Sequence, residues 1–275
     1  MKITAMSFNL RVCRFLDFHR SWVFRRESAA LAVAAQKPCL VGFQELTGRM
    51  LAELSPLLPE YGYVGTGRNK DGGGEHNAIF YHRKRLVPLE WGQLWLSEQP
   101  QVAGSIGWDA RHPRICTWAK LKLVKDPAVT ILMYNTHLDH IGRTAKRQGA
   151  LLVWRTIREH QERFGPTPVL LAGDFNAGPE HPVIRFLSGE DELEGESSPL
   201  ANAFADPQHA GKTHHGFLGG RLGKPIDYLF GGFGLLPLHG DVIRSKYNGR
   251  YPSDHYPVSG VFRVQRLTPK PAQTP

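Results

Sequence analysis

Cysteine is scarce in this chain, and long apolar runs are absent. The 275 residues include three cysteines, Cys13, Cys39 and Cys116, and none lies in a CxxC pair. An odd, scattered set of this kind argues against a disulfide framework or a cysteine-ligated zinc site, and it favours a reducing compartment. No apolar stretch approaches the roughly 20 residues that span a bilayer. We therefore expect no membrane insertion.

Acidic residues are also in short supply relative to basic ones. The chain has 25 Asp and Glu against 34 Lys and Arg, a formal net charge of +9. A basic surface favours polyanions such as nucleic acid, phosphorylated metabolites or anionic lipid headgroups, although many basic soluble proteins bind none of these. Hydrophobic residues at 41% and charged residues at 21% are typical of a globular protein and exclude disorder. No signal-peptide pattern precedes the first strand, so we expect a cytoplasmic location.

Short apolar runs alternate with helical patterns along the chain. The strand-like runs are 3–12, 39–43, 78–81, 86–96, 115–124, 129–134, 169–172, 226–230 and 258–264, and the helical patterns are 21–36, 47–58, 143–163 and 182–187. Strands separated by helices and by hairpin-like turns predict an α/β fold of two packed sheets flanked by helices. We expect a single domain over residues 1–266 and a flexible, proline-rich tail over residues 267–275.

Five short polar motifs carry the chemical information. They are Ser7-Phe8-Asn9, Gln44-Glu45, Asn135-Thr136-His137, Gly173-Asp174-Phe175-Asn176 and Ser253-Asp254-His255. Any one of them alone is more typical of a cap or a turn. Most of them directly follow an apolar run, so together they place carboxylate, amide and imidazole groups at the edge of a sheet. A hard divalent cation and a phosphate ester require this combination of groups.

In this order and combination, the motifs resemble those of the endonuclease/exonuclease/phosphatase superfamily. The resemblance runs from Ser7 to Pro257, nearly the whole chain. It implies a four-layer α-β-β-α sandwich of two mainly antiparallel sheets, with the active site in a cleft at one edge of both sheets. It also implies a metal-dependent phosphoesterase in which an activated water attacks phosphorus in line, without a covalent enzyme intermediate.

The resemblance implies a metal site that takes Mg²⁺ or Mn²⁺. We expect Glu45 to be the principal ligand, since a hard six-coordinate ion that keeps several waters takes one or two protein carboxylates. Asn9 is expected beside it, as a ligand or as a hydrogen-bond donor to the ligands. Asp254 resembles a residue that completes the metal or phosphate site in some members.

Four residues match the reaction centre of the family. Asp174 corresponds to the acid that orients or deprotonates the attacking water. Asn176 corresponds to the amide that donates to a non-bridging phosphate oxygen as charge builds there. His255 is expected to act as a general base or to stabilise the transition state. Asp227 resembles the acid that hydrogen-bonds this imidazole and sets its tautomer.

Five more residues are expected at or near the substrate. The string Asn-Thr-His-Leu, which contains His137, resembles the deoxyribonuclease, sphingomyelinase and deadenylase branch, where a histidine helps the leaving oxygen depart; apurinic endonucleases have a tyrosine in this region. Glu75 resembles the acid that orients this histidine, although a glutamate in a glycine-rich loop is more typically solvated. Arg114 is expected either to grip a phosphate, as is the nearby Arg111, or to form a structural ion pair. His215 is expected on a loop at the substrate rim.

These residues predict an enzyme that hydrolyses phosphodiester bonds. Nucleic acid is the first substrate class because the chain is basic, although no long insertion that would grip a duplex is visible. The alternative is a phosphatase or phosphodiesterase that acts on small phosphorylated metabolites or lipid headgroups. A non-catalytic nucleic-acid-binding module is a minor alternative, since such a protein is expected to have lost some of the residues named above. A monomer is the default expectation.

Overall fold

The protein consists mainly of two large β-sheets with helices outside them. The computed structural model describes residues 1–265, so the predicted tail over residues 267–275 lies outside the described part. The strands are β1 Lys2–Asn9, β2 Leu40–Gln44, β3 Leu46–Thr47, β4 Tyr61–Val64, β5 Glu75–His76, β6 Ile79–His82, β7 Leu86–Trp95, β8 Ile115–Leu123, β9 Thr130–His137, β10 Val169–Asp174, β11 Ala201–Asn202, β12 Asp227–Gly232, β13 Leu235–Val242 and β14 Val258–Val264. The α-helices are α1 Trp22–Gln36, α2 Gly48–Leu54, α3 Arg143–Phe164 and α4 Pro182–Leu187, and 3₁₀ helices cover Phe15–Arg20 and Ser55–Leu57.

The two large sheets have closely similar topologies. The first has the strand order β13-β14-β1-β2-β6-β4 and the second β11-β12-β10-β9-β8-β7. Each has one parallel pair at its centre, β1 with β2 and β9 with β10, while the pairs around it are antiparallel. The predicted fold, two mainly antiparallel sheets flanked by helices, is confirmed. No helix within residues 1–265 has the length and apolar character needed to cross a bilayer.

Side chains alternate along the central strands between two apolar cores. In β1, Ile3 and Ala5 join the larger core, which is shared with the second sheet and with α3 and α4. Met6 and Phe8 point the other way and pack with residues of α1 and α2. A strand that is covered on both faces reads as a continuous apolar run, which is why these strands were visible in the sequence.

Helix α1 shows how local sequence sets an element's ends. It begins at Trp22, directly after Ser21, and ends at Gln36. Lys37 adopts the left-handed conformation (φ 46°), and Pro38 follows, which has no amide hydrogen with which to continue the helix. The predicted helix over residues 21–36 is therefore confirmed to within one residue.

The predicted second helix over residues 47–58 is divided in two. Thr47 caps α2 by accepting a hydrogen bond from the Met50 amide, and α2 ends at Leu54. The chain then tightens into a 3₁₀ turn that includes Pro56. Because proline cannot donate the hydrogen bond of the next α-helical turn, the helix cannot continue unchanged.

The strands that the sequence did not indicate lie mainly at sheet edges. β13 and β4 are the outer strands of the first sheet, and β11 is an outer strand of the second. β13 contains Pro237, and its register with β14 shifts just after this residue. Edge strands have no partner along one side, tolerate proline and show little apolar alternation, so their sequences resemble loops.

Candidate active site

Six central strands bring their polar ends to one edge of the molecule. The two parallel pairs, β1 with β2 and β9 with β10, end there, and Asn9 pairs with Gln44 while His137 pairs with Asp174. β12 runs the opposite way and begins there with Asp227, opposite Asp174. β14 likewise starts close to this edge, shortly after the Ser-Asp-His motif. The topology thus explains why motifs far apart in the chain meet.

Two of the site residues stand in sharp turns directly after strands. Glu45 has φ 57° and Asn176 has φ 48°, values that place both in the left-handed region. Non-glycine residues adopt this conformation at some cost and only where surrounding contacts hold them. Here the Val12 amide donates to Glu45 Oε2 at 2.8 Å, and the Asn176 amide donates to Asp174 Oδ1 at 2.9 Å.

Asn9 joins two carboxylates from different sheets. Its side-chain nitrogen donates to Glu45 Oε1 and to Asp174 Oδ2, both at 3.0 Å. Its oxygen is already occupied, since it accepts the Arg11 amide at 2.9 Å. Of the two roles expected for Asn9, the structure has it donating to the carboxylates.

The donor set around Glu45 suits a hard divalent cation. Glu45 receives two neutral N–H groups, from Asn9 and Val12, and within residues 1–265 it forms no ion pair with Lys or Arg. A carboxylate that faces a cleft, lacks a cationic partner and lies beside a second carboxylate, Asp174, is the kind of oxygen ligand that Mg²⁺ or Mn²⁺ takes. Asp174, Asp227 and His255 also offer ligand atoms within 4.8 Å of one another.

Asp174 lies between two histidines. His137 Nε2 is 3.6 Å and His255 Nε2 is 3.9 Å from the same oxygen, Asp174 Oδ2. Burial, and then the nearby charge of Asp227, raise the pKa of Asp174 to about 7. This carboxyl group can therefore exchange a proton near neutral pH, as a general base must.

The two histidines have opposite environments. Asp227 Oδ2 lies 2.9 Å from His255 Nδ1. This contact orients the ring and places a proton on Nδ1. Burial lowers the pKa of His255, but the charge and hydrogen bond of Asp227 outweigh it and raise the pKa to about 10. Burial and the positive charge of Arg114 instead lower the pKa of His137 well below its ordinary value. One imidazole is therefore cationic and the other neutral.

The turn at Asn176 is tied down from two sides. Asn176 Nδ2 donates to the Leu138 carbonyl oxygen at 3.0 Å. Lys146, in the first turn of α3, donates from Nζ to the Asn176 carbonyl oxygen at 2.6 Å. The carboxamide of Asn176 lines the cleft with one of its N–H groups already engaged.

Asp254 is surrounded by positive groups. Arg11 Nη1 donates to Asp254 Oδ2 at 2.8 Å, and His214 Nε2 lies 3.7 Å from the same oxygen. Burial raises the pKa of Asp254, but the neighbouring His214, the charge of His255 and the contact with Arg11 together lower it far below its usual range. Its expected role as a metal ligand stays a prediction, since this oxygen already accepts a hydrogen bond from Arg11.

Arg114 and Glu75 each belong to an ion pair at the cleft. Arg114 is buried, and its Nε lies 3.3 Å from Asp139 Oδ2. Glu75 accepts a hydrogen bond from Arg68 at 2.8 Å. Burial raises the pKa of Glu75. The carboxylate is thus directed at Arg68, and its expected part in orienting His137 remains a prediction.

The adjacent histidines of residues 214 and 215 face different surroundings. His214 forms an antiparallel bridge with His255, and their rings lie 4.8 Å apart at the cleft. His215 points away from the cleft, and its buried ring stacks on Tyr256 at 3.9 Å. Neighbours in an extended segment point to opposite sides. His215 is therefore a packing residue beneath the rim, and His214 is the histidine that reaches the cleft.

Three residues of the sequence motifs support the site from below. Gln44 Nε2 donates to Asn135 Oδ1 at 2.7 Å and lies 3.2 Å from Ser7 Oγ, so the amides connect the two sheets. Gly42 leaves the space for this contact, because a β-carbon there would lie 2.7 Å from Asn135 Oδ1. Fully buried polar groups that are hydrogen-bonded to one another hold the sheets in a single relative position.

The cleft above these residues has a volume of about 530 Å³ and is strongly cationic. It is lined by Arg11, Val12, Arg14, Glu45, Arg68, Glu75, Arg111, His112, Arg114, His137, His140, Asp174, Asn176, His214, Ile226, Asp254 and His255. Five arginines and the cationic His255 face four carboxylates, a composition suited to an anionic ligand. Arg11, Arg68 and His140 were not indicated by the sequence, because they lie outside the motifs.

Comparison with known proteins supports the same family. The sequence profile of the endonuclease/exonuclease/phosphatase family matches residues 6–255. A family member of known structure from Bacteroides thetaiotaomicron is 30% identical, with a TM-score of 0.84 over 97% of this chain and 99% of that chain. A mannosyl-6-phosphatase from the same organism is 31% identical, with a TM-score of 0.84 over 94% of this chain and 98% of that chain.

More distant structures share the fold alone. The human Nocturnin catalytic domain is 16% identical, with a TM-score of 0.73 over 96% of this chain and 94% of that chain. No curated protein matches the chain in sequence. The profile match over nearly the whole chain, together with the structural likeness at 30% identity, shows that this chain belongs to the endonuclease/exonuclease/phosphatase family.

Proposed function

We propose that this protein is a divalent-metal-dependent phosphoester hydrolase. The observation that carries the proposal is the pair of carboxylates, Glu45 and Asp174, bound to the same Asn9 amide at 3.0 Å each within an arginine-rich cleft. Glu45 would hold the cation, and Asp174 shares the Asn9 amide with Glu45. When bound, the cation neutralises charge on the phosphoryl oxygens and makes phosphorus more electrophilic.

The chain's own residues divide the chemistry of in-line hydrolysis. Asp174 orients the attacking water and accepts its proton, for which a pKa of about 7 is suitable. Asn176 directs its amide toward a non-bridging oxygen, in a turn that Lys146 and Leu138 hold in place. Fixed donors of this kind stabilise charge without reorganising during the reaction.

The two histidines act on different oxygens of the phosphoryl group. His255, kept cationic by Asp227, stabilises the negative charge that develops at the reacting phosphorus centre. His137 is neutral and donates a hydrogen bond to the leaving oxygen, which takes its proton from water as the bond to phosphorus breaks. Both imidazoles lie within 4 Å of Asp174 Oδ2, so one set of groups would contact the water, the phosphorus and the leaving group.

Small phosphorylated molecules are the substrate class that we favour. A cleft of about 530 Å³ has the size of a pocket for a single small molecule. The similarity to a mannosyl-6-phosphatase, at 31% identity over nearly the whole of both chains, supports a phosphomonoester. A phosphodiester of nucleic acid is the second candidate, supported by the net charge of +9.

Hydrolysis of p-nitrophenyl phosphate and bis-p-nitrophenyl phosphate tests the proposal. We expect turnover with Mg²⁺ or Mn²⁺, its loss in EDTA and its recovery when the metal is restored. Glu45→Gln removes the ligand charge and is expected to abolish both turnover and Mn²⁺ binding, measured by electron paramagnetic resonance. Glu53→Gln is the matched control, since Glu53 forms a helix-surface ion pair with Arg49.

The results of these assays distinguish a metal-dependent phosphatase, a phosphodiesterase and a non-catalytic binding module. Turnover that persists in EDTA contradicts metal dependence. Absence of turnover on every phosphoester, with Mn²⁺ bound, favours a non-catalytic binding module. Preference for the monoester over the diester supports a phosphatase, and the reverse preference supports a phosphodiesterase.

A further inference from the structure

Charge is distributed unequally on the two sides of Asp174. On the His255 side, Arg11 is shared by two carboxylates, Asp254 and Asp17, at 2.8 Å and 3.0 Å. That arginine is fully compensated. The His137 side carries three arginines at the cleft, Arg68, Arg111 and Arg114, against the carboxylates of Glu75 and Asp139.

Asp139 organises the cationic side. Its carboxylate is buried and accepts hydrogen bonds from the amides of Ile141 and Gly142, at 2.9 Å and 2.7 Å. The same carboxylate accepts from Arg114 Nε at 3.3 Å and from the Arg111 amide at 3.4 Å. One side chain therefore positions two arginines and the turn that follows His140.

The remaining cations are also held in place. Arg114 Nη2 lies 3.0 Å from His140 Nδ1, so the guanidinium extends from Asp139 to the cleft histidine. Arg68 is fixed through its side chain by Glu75 and through its carbonyl oxygen by Trp95 Nε1 at 2.7 Å. Positive groups fixed in this way lose little freedom when an anion binds.

Arg111 is the uncompensated member of the group. Its backbone is anchored by Asp139, while its exposed side chain lines the cleft. Within residues 1–265 its guanidinium forms no ion pair. A guanidinium that is free at the mouth of a cleft, beside two that are already paired, is available for a bidentate contact with phosphate.

We infer that Arg111, Arg114 and Arg68 form a second anion subsite that binds a further phosphate group of the substrate. This inference rests on the proposed function, because the first phosphate is the one held at Asp174. Arg68 and Arg114 adjoin His137 rather than His255, so the second phosphate lies on the leaving-group side. The preferred substrate is accordingly a small molecule with two phosphate groups.

Isothermal titration calorimetry in Mg²⁺ buffer tests the subsite with two probe pairs. Methylenediphosphonate is compared with inorganic phosphate, and fructose 1,6-bisphosphate with fructose 6-phosphate, so that short and long separations are covered. In the wild type we expect at least one doubly charged probe to bind about tenfold more tightly than its single-phosphate partner, as one charge-assisted contact provides. Arg111→Gln is expected to remove most of that ratio, and Arg111→Lys to restore part of it.

Arg158→Gln is the control, since it removes one positive charge from an exposed arginine that pairs with Glu196 outside the cleft. It is expected to leave the ratio at the wild-type value. A wild-type ratio near one for both pairs, or an equal ratio in Arg111→Gln and Arg158→Gln, overturns the subsite. The binding measurement does not need turnover, so absence of hydrolysis contradicts the proposed function and leaves the subsite to be decided by these ratios.

Discussion

His255 and His137 approach the same oxygen of Asp174 and differ in their charged neighbours. His255 has a dedicated carboxylate partner in Asp227, and it is cationic. His137 is adjacent to Arg114 and Arg68, and it is neutral. Burial alone therefore does not decide the charge of a histidine: both are almost completely buried, and the sign of the nearest charge separates them.

The same asymmetry extends outward into the cleft. Beyond His255, Arg11 is compensated by Asp254 and Asp17. Beyond His137, Arg111 has no carboxylate partner among residues 1–265. We therefore expect chemistry to depend on the His255 side and recognition of additional negative charge to depend on the His137 side.

Asp174→Asn is expected to have the largest effect, because it removes the carboxylate that both sides share. We expect kcat/KM to fall by about 10³-fold or more, since proton transfer from water and the contacts to both histidines are lost. Circular dichroism and the melting temperature are expected to remain close to the wild type. Asp241→Asn, at an exposed carboxylate, is the control. A fall of less than tenfold removes Asp174 from the mechanism.

Asp227→Asn separates the two sides. Without the carboxylate, His255 loses its stabilised charge, and we expect kcat/KM to fall about 100-fold. In a His255→Ala background, Asp227→Asn is expected to lower kcat/KM little further, because the two residues act as a unit. In a His137→Ala background, Asp227→Asn is expected to lower kcat/KM by the full factor of about 100. Equal costs in both backgrounds contradict the division between the histidines.

Gly42→Ala tests the buried contact between the two sheets beneath the site, on which the His255 side and the His137 side both rest. The new methyl group would lie 2.7 Å from Asn135 Oδ1 and 3.2 Å from the Ala172 β-carbon, in a fully packed interface. We expect the free energy of unfolding to fall by about 1–3 kcal/mol in urea titrations. Gly48→Ala is the control, since its nearest contact would be 3.9 Å away. Equal stability of the two variants contradicts close packing at Gly42.

His160 shows what burial does to the pKa of a histidine outside the cleft, with an effect on stability only below neutral pH. Burial, and then Arg163, lower its pKa to about 4, while Glu90 opposes this and Tyr134 hydrogen-bonds its ring. The unfolded state binds a proton near pH 6.5 and the folded state only near pH 4, so the free energy of unfolding falls as pH decreases across that window. His160→Gln is expected to recover roughly 1–3 kcal/mol of that loss.

Urea titrations at pH 7 and pH 4 measure this difference directly. His209→Gln is the control, because it replaces a histidine that is exposed rather than buried. If the pH dependence of stability is the same in His160→Gln as in the wild type, then His160 is not the titrating group.

The candidate site was partly predictable because its residues follow buried strands. Asn9, His137 and Asp174 each end an apolar run, so the sequence indicated both the residue and its place at a sheet edge. Asp139 gave no such signal. Arg111 was predicted as a phosphate contact near a strand end, but its link to Asp139 was not. The hydrogen bonds from arginine to Asp139 link separate segments of the chain. No local sequence pattern predicts that these segments are in contact.

The sequence by itself determined the family, the two sheets and the strands at their centres, since continuous apolar runs and ordered polar motifs are local properties of a chain. Tertiary structure alone decided which way each polar side chain faces and which charges compensate one another. It turned His214 toward the cleft and His215 into the core, paired Glu75 with Arg68, and left Arg111 free. The physical reason is that electrostatic energy depends on distances between residues remote in sequence, which only the packed sheets define.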